Sequence, residues 1–368
     1  MVNFTMDSMI EKCQTDVLYT DFEKAFDRVN HKRMLQKLVK FGFGRRLVKW
    51  FHGYLTARTQ FVGIGERKSR TFTVSSGVPA GNDLKLIRKI QSPSDAITFQ
   101  NSIDQLNDWC TENSLYLNLK KCFVMTYSKG GNAIDYVYTI NNGHHTFERM
   151  NLHKDLGVIF DKKLTFVNHI DAITASAHAA MGFIKRTLKN KFTIETAKIL
   201  YCGLVRSKLE YASIVWQPYH RIHSDRIESI QKDFVIWTLS FVYQRDENFV
   251  LPPYYFRCDT LNIQPLWRRR INASIFLIYD LLLGKIVSRS LRDKIVYTRL
   301  HYDVNQRNLR NTELIRIRRF TSEYAHNQPF YVACRNFNLV REQFMQSASR
   351  EIFRNNIVKL ENVTFIER

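Results

Sequence analysis

The sequence predicts an α+β protein, because strand patterns and helix patterns occupy different parts of the chain. Up to about residue 162, short apolar segments alternate with helical spacings and with turns that contain Gly and Asn. Beyond residue 165, apolar residues recur at three- and four-residue spacing. Pro252 and Pro253 mark a second change, to a strongly basic segment. We therefore predict a mixed region over 1–162, a helical region over 163–252 and a basic helical region over 253–368.

The mixed region is predicted to hold both kinds of element. Its strands are expected at residues 16–21, 59–63, 70–74, 122–128, 136–140 and 152–160. Its helices are expected at 34–42, 47–54 and 93–113. Ser94 is the predicted N-cap of the third helix. In the helical region, apolar stripes that begin at Ile170, Ala197 and Ile227 predict three helices that pack on one another.

The charge balance points to a polyanionic partner. Lys and Arg outnumber Asp and Glu by 55 to 34, a net charge of +21. Hydrophobic residues make up 45% of the chain and aromatic residues 13%, which excludes a disordered basic tail. Such a surface suits nucleic acid or an anionic membrane. Because no run of about 18 apolar residues occurs, we expect no membrane span and nucleic acid as the partner.

The basic C-terminal segment contributes much of this charge. Residues 261–320 hold 13 Lys and Arg against 4 Asp and Glu. The runs in this segment predict either a nucleic-acid-binding surface or an ordinary solvated one. The residues in question are Arg268, Arg269, Arg270, Arg316, Arg318 and Arg319.

The cysteine pattern and the N-terminal residues suggest where the protein acts. The six cysteines form no Cys-x-x-Cys pair, so we expect no zinc site and reduced thiols. Residues 1–14 show no apolar core followed by a cleavage site. We therefore expect an intracellular protein, nuclear or cytoplasmic, that is not secreted.

Asp21 has two interpretations from its position alone. It ends an apolar strand, where Asp is common because it favours turns. The end of a strand also holds a catalytic carboxylate rigidly while leaving it open to solvent. The residues around Asp21 must decide between the two.

Five segments resemble, in chain order, the reverse transcriptases of non-LTR (LINE-type, jockey-like) retrotransposons. One is Tyr-Thr-Asp-Phe-Glu-Lys-Ala-Phe around Asp21, and another is Ser-Gly-Val-Pro-Ala-Gly, which ends at Gly81. A third runs from Trp109 to Cys122 as a pattern of Trp-Cys, Asn, Leu, Asn and Lys-Cys. The last two occupy 155–170 and 204–216.

The resemblance implies a fold and a chemistry. Residues 1–162 would form a partial reverse-transcriptase palm of the ferredoxin-like split βαβ type, and an all-α thumb-like region would follow. The activity would be RNA-directed DNA polymerisation, with an RNA template, a DNA primer and dNTPs. Two Mg²⁺ (or Mn²⁺) ions would hold the reacting oxygens. Asp21 would supply a metal-binding, catalytic carboxylate, and the implied substrate-binding residues are Phe22, Phe26 (the steric gate), Ser76, Gly77, Pro79, Gly81 and Lys121.

The chain departs from the family where the remaining carboxylates belong. It contains no Asp-Asp pair, and 27 residues separate Gly81 from Trp109. That interval is too short for a palm helix and an Asp-Asp hairpin besides the helix at 93–113. The residues after Gly81 resemble the tail of the Asp-Asp motif, so we infer an internal deletion or a misjoined gene that leaves Asp83 as a second catalytic and metal-binding carboxylate. We also expect the upstream finger segments to be truncated.

These departures predict a chain that is a polymerase by descent and is catalytically impaired. A displacement of about 1 Å already costs about a hundredfold in rate, and an incomplete carboxylate set cannot hold two metal ions in register. The alternatives are a non-catalytic nucleic-acid-binding remnant and a degenerate transposon copy.

Overall fold

The computed structural model describes most of the chain, in two compact units. The described residues are 1–23, 30–55, 58–60, 63–64, 67–68, 72–74, 84–130, 133–141, 143–189, 192–243, 250–297, 313–347 and 349–359. The first unit covers residues 3–153 and the second covers 154–368. Helices and strands are both present, and the second unit runs across Pro252 and Pro253. The boundaries at 162 and 252 stay predictions.

The first unit contains most of the strands. Its helices are α1 (Val2–Ile10), α2 (His31–Lys40), α3 (Arg45–Leu55) and α4 (Pro93–Asn113). Its strands are β1 (Gln14–Thr20), β2 (Arg58–Gln60), β3 (Gly63–Ile64), β4 (Arg67–Lys68), β5 (Phe72–Val74), β6 (Leu84–Ile90), β7 (Phe123–Tyr127), β8 (Thr139–Ile140), β9 (His145–Thr146) and β10 (Glu148–Met150). The predicted elements at 16–21, 34–42, 47–54 and 93–113 are confirmed within a few residues.

A four-stranded sheet in the order β10-β7-β1-β6 forms the centre of the first unit. Strand β1 pairs antiparallel with both β6 and β7, and β10 runs parallel to β7. All seven residues of β1 are buried, because both its edges are paired and both its faces are covered. The pair predicted at 59–63 and 70–74 appears as β2 and β5, antiparallel.

The two faces of β1 pack differently. Leu18 belongs to a core cluster with residues of α4 such as Phe99 and Ile103. On the opposite face, the Tyr19 ring stacks on Phe123 with ring centroids 5.0 Å apart. The Tyr19 hydroxyl lies 2.8 Å from the hydroxyl of Tyr127. This packing holds the strand rigidly up to its last residue.

Helix α4 has the predicted bounds but a different N-cap. Ser92, and not Ser94, occupies the cap position. Its backbone N–H and its hydroxyl both donate to Asp95 Oδ2, each at 3.0 Å. Hydrogen bonds from the Gln91 backbone N–H and the Ser92 hydroxyl lower the pKa of Asp95. Pro93 stands at the first helical position, where its missing N–H costs nothing.

The second unit is mainly helical. Its helices are α5 (Val167–Leu188), α6 (Ile194–Leu200), α7 (Ser207–Glu210), α8 (Ser213–Trp216), α9 (Arg221–Val242), α10 (Tyr254–Thr260), α11 (Leu266–Leu282), α12 (Arg289–Arg292), α13 (Glu323–His326), α14 (Pro329–Leu339), α15 (Arg341–Gln346) and α16 (Arg350–Lys359), with a π-helical turn at Tyr201–Arg206. Its short strands are β12 (Val158–Asp161), β13 (Val296–Tyr297) and β14 (Ile315–Arg316), and β11 (Leu152–Asp155) begins in the last two residues of the first unit. The three predicted stripes lie on α5, on the helical run that starts at α6, and on α9.

The strand predicted at 152–160 is broken into β11 and β12. Gly157 lies between them with a φ of +86°, a left-handed conformation that glycine adopts without strain. Asp161 then accepts hydrogen bonds from the backbone N–H groups of Lys163, Thr165 and Phe166. This turn directs the chain into α5.

His169 is buried in the first turn of α5. Its Nδ1 accepts the backbone N–H of Ile159 at 3.3 Å, and its ring meets the Trp216 ring edge-on at 5.1 Å. Burial, with a smaller effect of Lys154, lowers the pKa of His169 to about 4. The imidazole is therefore neutral at pH 7 and serves as a packing residue.

Two further contacts organise the helices of the second unit. Lys185 of α5 forms an ion pair with Asp233 of α9 at 2.8 Å. A core cluster joins α11, α14 and α16 through Tyr279, Phe337 and Phe353, all buried. The rings of Tyr279 and Phe353 stack with centroids 4.5 Å apart. Among the described helices, none is long and apolar enough to cross a bilayer.

Candidate active site around Asp21

Asp21 directly follows the buried strand β1 and remains partly open to solvent. Its side chain is 21% exposed, whereas the seven preceding residues are buried. The backbone carbonyl of Asp21 accepts the N–H of Asn118 at 2.7 Å. The carboxylate thus lies at the C-terminal end of a buried strand.

Lys121 and Phe22 lie next to Asp21. The ammonium of Lys121 is 3.0 Å from Asp21 Oδ2. Phe22 forms a backbone bridge with Leu117, and its side chain packs on the core cluster that contains Phe99. The segment that follows α4 therefore lies along the end of β1. Three of the predicted site residues come together here.

The register of β1 and β6 pairs the residue before Asp21 with the residue after Asp83. Thr20 pairs with Leu84, and its hydroxyl donates to the carbonyl of Leu84 at 2.8 Å. Asp21 follows Thr20 in the chain, and Asp83 precedes Leu84. Asp83 itself lies outside the described residues, as do five other predicted site residues. These five are Phe26, Ser76, Gly77, Pro79 and Gly81.

The site does not fit a two-metal centre as far as the structure describes it. No group of three or more His, Cys, Asp or Glu side chains able to hold a metal ion occurs among the described residues. Asp21 supplies one carboxylate, but the ammonium of Lys121 already forms an ion pair with it. A metal ion would have to compete with Lys121 for this carboxylate. Two hard cations need several carboxylate oxygens. Mg²⁺ and Mn²⁺ therefore stay predictions.

The arginine run on α11 does not form an exposed surface. Arg270 is buried at 3% exposure and donates from Nη2 to the hydroxyl of Ser224 at 3.0 Å. Arg269 forms a two-point ion pair with Glu210. Arg268 is half-buried. Arg270 is therefore not part of an exposed surface, and Arg269 is held in an ion pair with Glu210. The nucleic-acid contacts predicted for the three arginines stay predictions.

Glu228 explains why cations are tolerated in the first turn of α11, where the helix dipole disfavours them. Its carboxylate is buried and accepts the backbone N–H groups of Leu266 and Trp267, each at 2.9 Å. The Tyr254 hydroxyl also donates to it. Arg316, Arg318 and Arg319, in contrast, are exposed, and their predicted nucleic-acid contacts stay predictions.

Comparison with known proteins identifies two relatives that are similar to part of the chain. The chain is 24% identical over 273 residues to the RNA-directed DNA polymerase from mobile element jockey of Drosophila funebris. It is 22% identical over 272 residues to the protein of the same description from Drosophila melanogaster. Each match covers 63% of this chain and 29% of the relative. No family model matches.

The resemblance to jockey-like retrotransposon reverse transcriptases is confirmed. The chain spans about 29% of the length of the curated relatives it matches. Neither relative decides which residues of this jockey-like chain act in catalysis, so the site rests on the geometry around Asp21.

The jockey-like chain also carries a basic surface that the sequence analysis missed. Residues 30–55 contain seven Lys and Arg and no Asp or Glu, and all seven cations are exposed, four on α2 and three on α3. Trp50 and Tyr54 stack with centroids 5.5 Å apart, at 59% and 48% exposure. We call residues 30–55 the basic aromatic hairpin. The absence of Asp and Glu over these 26 residues is a signal by which the sequence alone could have indicated this surface.

Contacts to α4 hold this hairpin in place. Arg33 donates to the carbonyl of Glu112 and Lys37 to the side chain of Asn113. Both acceptors lie at the C-terminal end of α4, where the helix dipole favours cations. Lys37 also lies over the ring of Trp109 at 5.1 Å. Exposed cations beside stacked aromatic rings are the combination that binds single-stranded nucleic acid.

Proposed function

We propose that this chain is the reverse-transcriptase domain of a non-LTR retrotransposon in which nucleic-acid binding persists and nucleotidyl transfer is lost. The observation that carries the proposal is the placement of Asp21 and Lys121 together at the mouth of β1, within a chain similar to jockey polymerases. The net charge of +21 supplies the attraction for an RNA template with a DNA primer.

The sheet supports descent from a palm. Strands β6 and β7 flank β1, both antiparallel to it, and α4 connects β6 to β7. A ferredoxin-like split βαβ fold from which one helix and one strand of the Asp-Asp hairpin had been deleted would have this connectivity. The second unit, with α5 and α9 in contact through Lys185 and Asp233, would then correspond to a thumb and its C-terminal extension.

Loss of catalysis is proposed because the described site offers Asp21 in an ion pair with Lys121 and no further clustered carboxylates. Primer extension on an RNA template, with Mg²⁺ or Mn²⁺ and all four dNTPs, tests this. We expect no extension above background by the wild-type chain. Metal-dependent extension that Asp21→Asn abolishes and Asp108→Asn leaves intact would overturn the proposal. Asp108 is a matched control because it is exposed on α4.

Nucleic-acid binding is tested separately from catalysis. Affinity for a fluorescent RNA–DNA template-primer, measured by anisotropy against salt concentration, should fall with a log–log slope of several units. Arg45→Gln with Lys49→Gln should reduce that slope by about 1.4 to 1.8, since each lost phosphate contact removes roughly 0.7 to 0.9. Lys162→Gln with Lys163→Gln removes the same charge from another exposed site. A salt-independent affinity would refute the binding proposal.

A degenerate copy without a selected function is the second candidate. It is favoured by the interval of 27 residues between Gly81 and Trp109, into which the missing palm elements do not fit. A thermal melt followed by circular dichroism distinguishes the two, because a chain that binds template-primer through a folded surface must unfold cooperatively. A melt without a cooperative transition would favour the degenerate copy.

A further inference from the structure

The second unit contains a cavity that the proposed function does not use. Its volume is about 580 Å³, within the range of small-molecule sites. Residues from α9, α11, α13 and α14 line it, together with residues 217–219, 313, 317 and 327. All of its lining residues belong to the second unit, so the cavity is a feature of that unit alone.

Arg270 places an incompletely paired positive charge in the wall of this cavity. Its Nη2 donates to Ser224, but its Nη1 is buried and has no hydrogen-bond partner among the described residues. Glu228 and Glu210 attract Arg270 electrostatically, and burial lowers its pKa. Both carboxylates are already engaged, Glu228 with backbone N–H groups and Glu210 with Arg269. A guanidinium stays protonated in proteins, so Arg270 adds a positive charge to the cavity wall that an anion bound there would offset.

The other lining residues define the kind of anion. Arg335 lines the cavity and donates from Nη2 to the carbonyl of His326 at 2.6 Å. Trp267 and Tyr219 add aromatic surface. The lining also includes Arg221, which lies 3.6 Å from Asp225, and Glu313. Arginine forks match phosphate oxygens, and indole and phenol rings suit a planar ligand ring.

We propose that this cavity binds a phosphate ester of about the size of one nucleotide. The phosphate is recognised by Arg270, with Arg335 as the second cation, and the attached ring lies against Trp267. The phosphate belongs either to a free nucleotide or to the 5′ end of a nucleic-acid strand. The inference does not depend on the proposed function, because it concerns a cavity remote in sequence from Asp21.

Calorimetric titration of the full chain tests the proposal with AMP, adenosine and inorganic phosphate as probes. AMP should bind at least tenfold more tightly than adenosine, because only AMP supplies the partner for Arg270. Arg270→Gln should weaken AMP at least tenfold, whereas Arg289→Gln, which removes an exposed charge outside the cavity, should leave it unchanged. Equal affinities for AMP and adenosine, or no AMP binding by the wild type, would overturn the proposal.

Two further arms keep the test decisive. Val332→Phe leaves every charge in place and fills part of the cavity that Val332 lines, so it should weaken AMP at least tenfold even if Arg270→Gln does not fold. Unchanged AMP affinity in Val332→Phe would refute the site. A short oligonucleotide with and without a 5′-phosphate then identifies the source. Tighter binding of the phosphorylated strand than of AMP assigns the site to strand ends, and the reverse order assigns it to free nucleotides.

Discussion

Acidification should destabilise the second unit through His169. The pKa of His169 is lowered from 6.5 to about 4 in the folded chain, so the unfolded chain binds a proton in a pH range where the folded chain does not. Stability is therefore full above about pH 6.5 and is lost as the pH falls towards 4. One pKa unit corresponds to about 1.4 kcal/mol, so the total loss is about 3 kcal/mol.

Most of that loss is accessible in an ordinary buffer range. Between pH 7 and pH 5, the same two pKa values give a decrease of about 2 kcal/mol in the free energy of unfolding. The physical reason is that a proton on the imidazole would place a charge in a buried site, with Lys154 adding a smaller repulsion. Protonation at Nδ1 would also break the hydrogen bond from Ile159.

Urea denaturation followed by tryptophan fluorescence measures this effect. The wild type should lose about 2 kcal/mol more than His169→Asn between pH 7 and pH 5, because asparagine cannot be protonated yet still offers an acceptor near the position of Nδ1. Other groups titrate equally in both proteins, so the difference between them isolates His169. An equal pH dependence in the two proteins would refute the reasoning.

Three stability predictions follow from single contacts, each measured by urea denaturation. Glu228→Ala removes the buried acceptor for the N–H groups that open α11 and should cost about 3 kcal/mol, and a cost below about 1 kcal/mol would contradict the capping role. Phe353→Ala should cost about 3 to 5 kcal/mol, because Phe353 is fully buried between aromatic rings, and a smaller cost would mean that the cluster collapses into the space. Ser92→Ala should cost about 1 kcal/mol and Ser94→Ala much less; the reverse order would restore Ser94 as the N-cap.

The elements that the sequence predicted well are those whose formation depends on residues close together in the chain. Helix α4 combines Pro at its start with an apolar face, and its bounds came out as predicted. Its N-cap was misplaced by two residues, although Ser92 and Asp95 have the spacing of a capping box. Strand β6 was missed because its residues were interpreted as the tail of a motif, and because apolar and polar residues alternate only over Leu84, Lys85 and Leu86.

The sequence predicted which residues belong to the candidate site, but it did not predict their contacts. Asp21 and Lys121 are 100 positions apart in the sequence, and their ion pair depends on how the segment after α4 lies against the end of β1. The burial of Arg270 depends on Ser224 and Glu228, which belong to a different helix. The sequence of a run of three arginines is the same whether the side chains face solvent or a cavity, so only the tertiary structure distinguishes these cases.

Strand β6 has a consequence for how the protein must be handled. Within the described residues it ends the four-stranded sheet, and such a strand is a template on which a second copy can add its own edge. Lys85 and Arg88 on β6 oppose that pairing by repulsion. Salt shortens the range of this repulsion from about 10 Å at 0.1 M to about 3 Å at 1 M. The high-salt buffers that strip nucleic acid from basic proteins would therefore bring the copies of this one together, and dilute, low-salt storage keeps them apart.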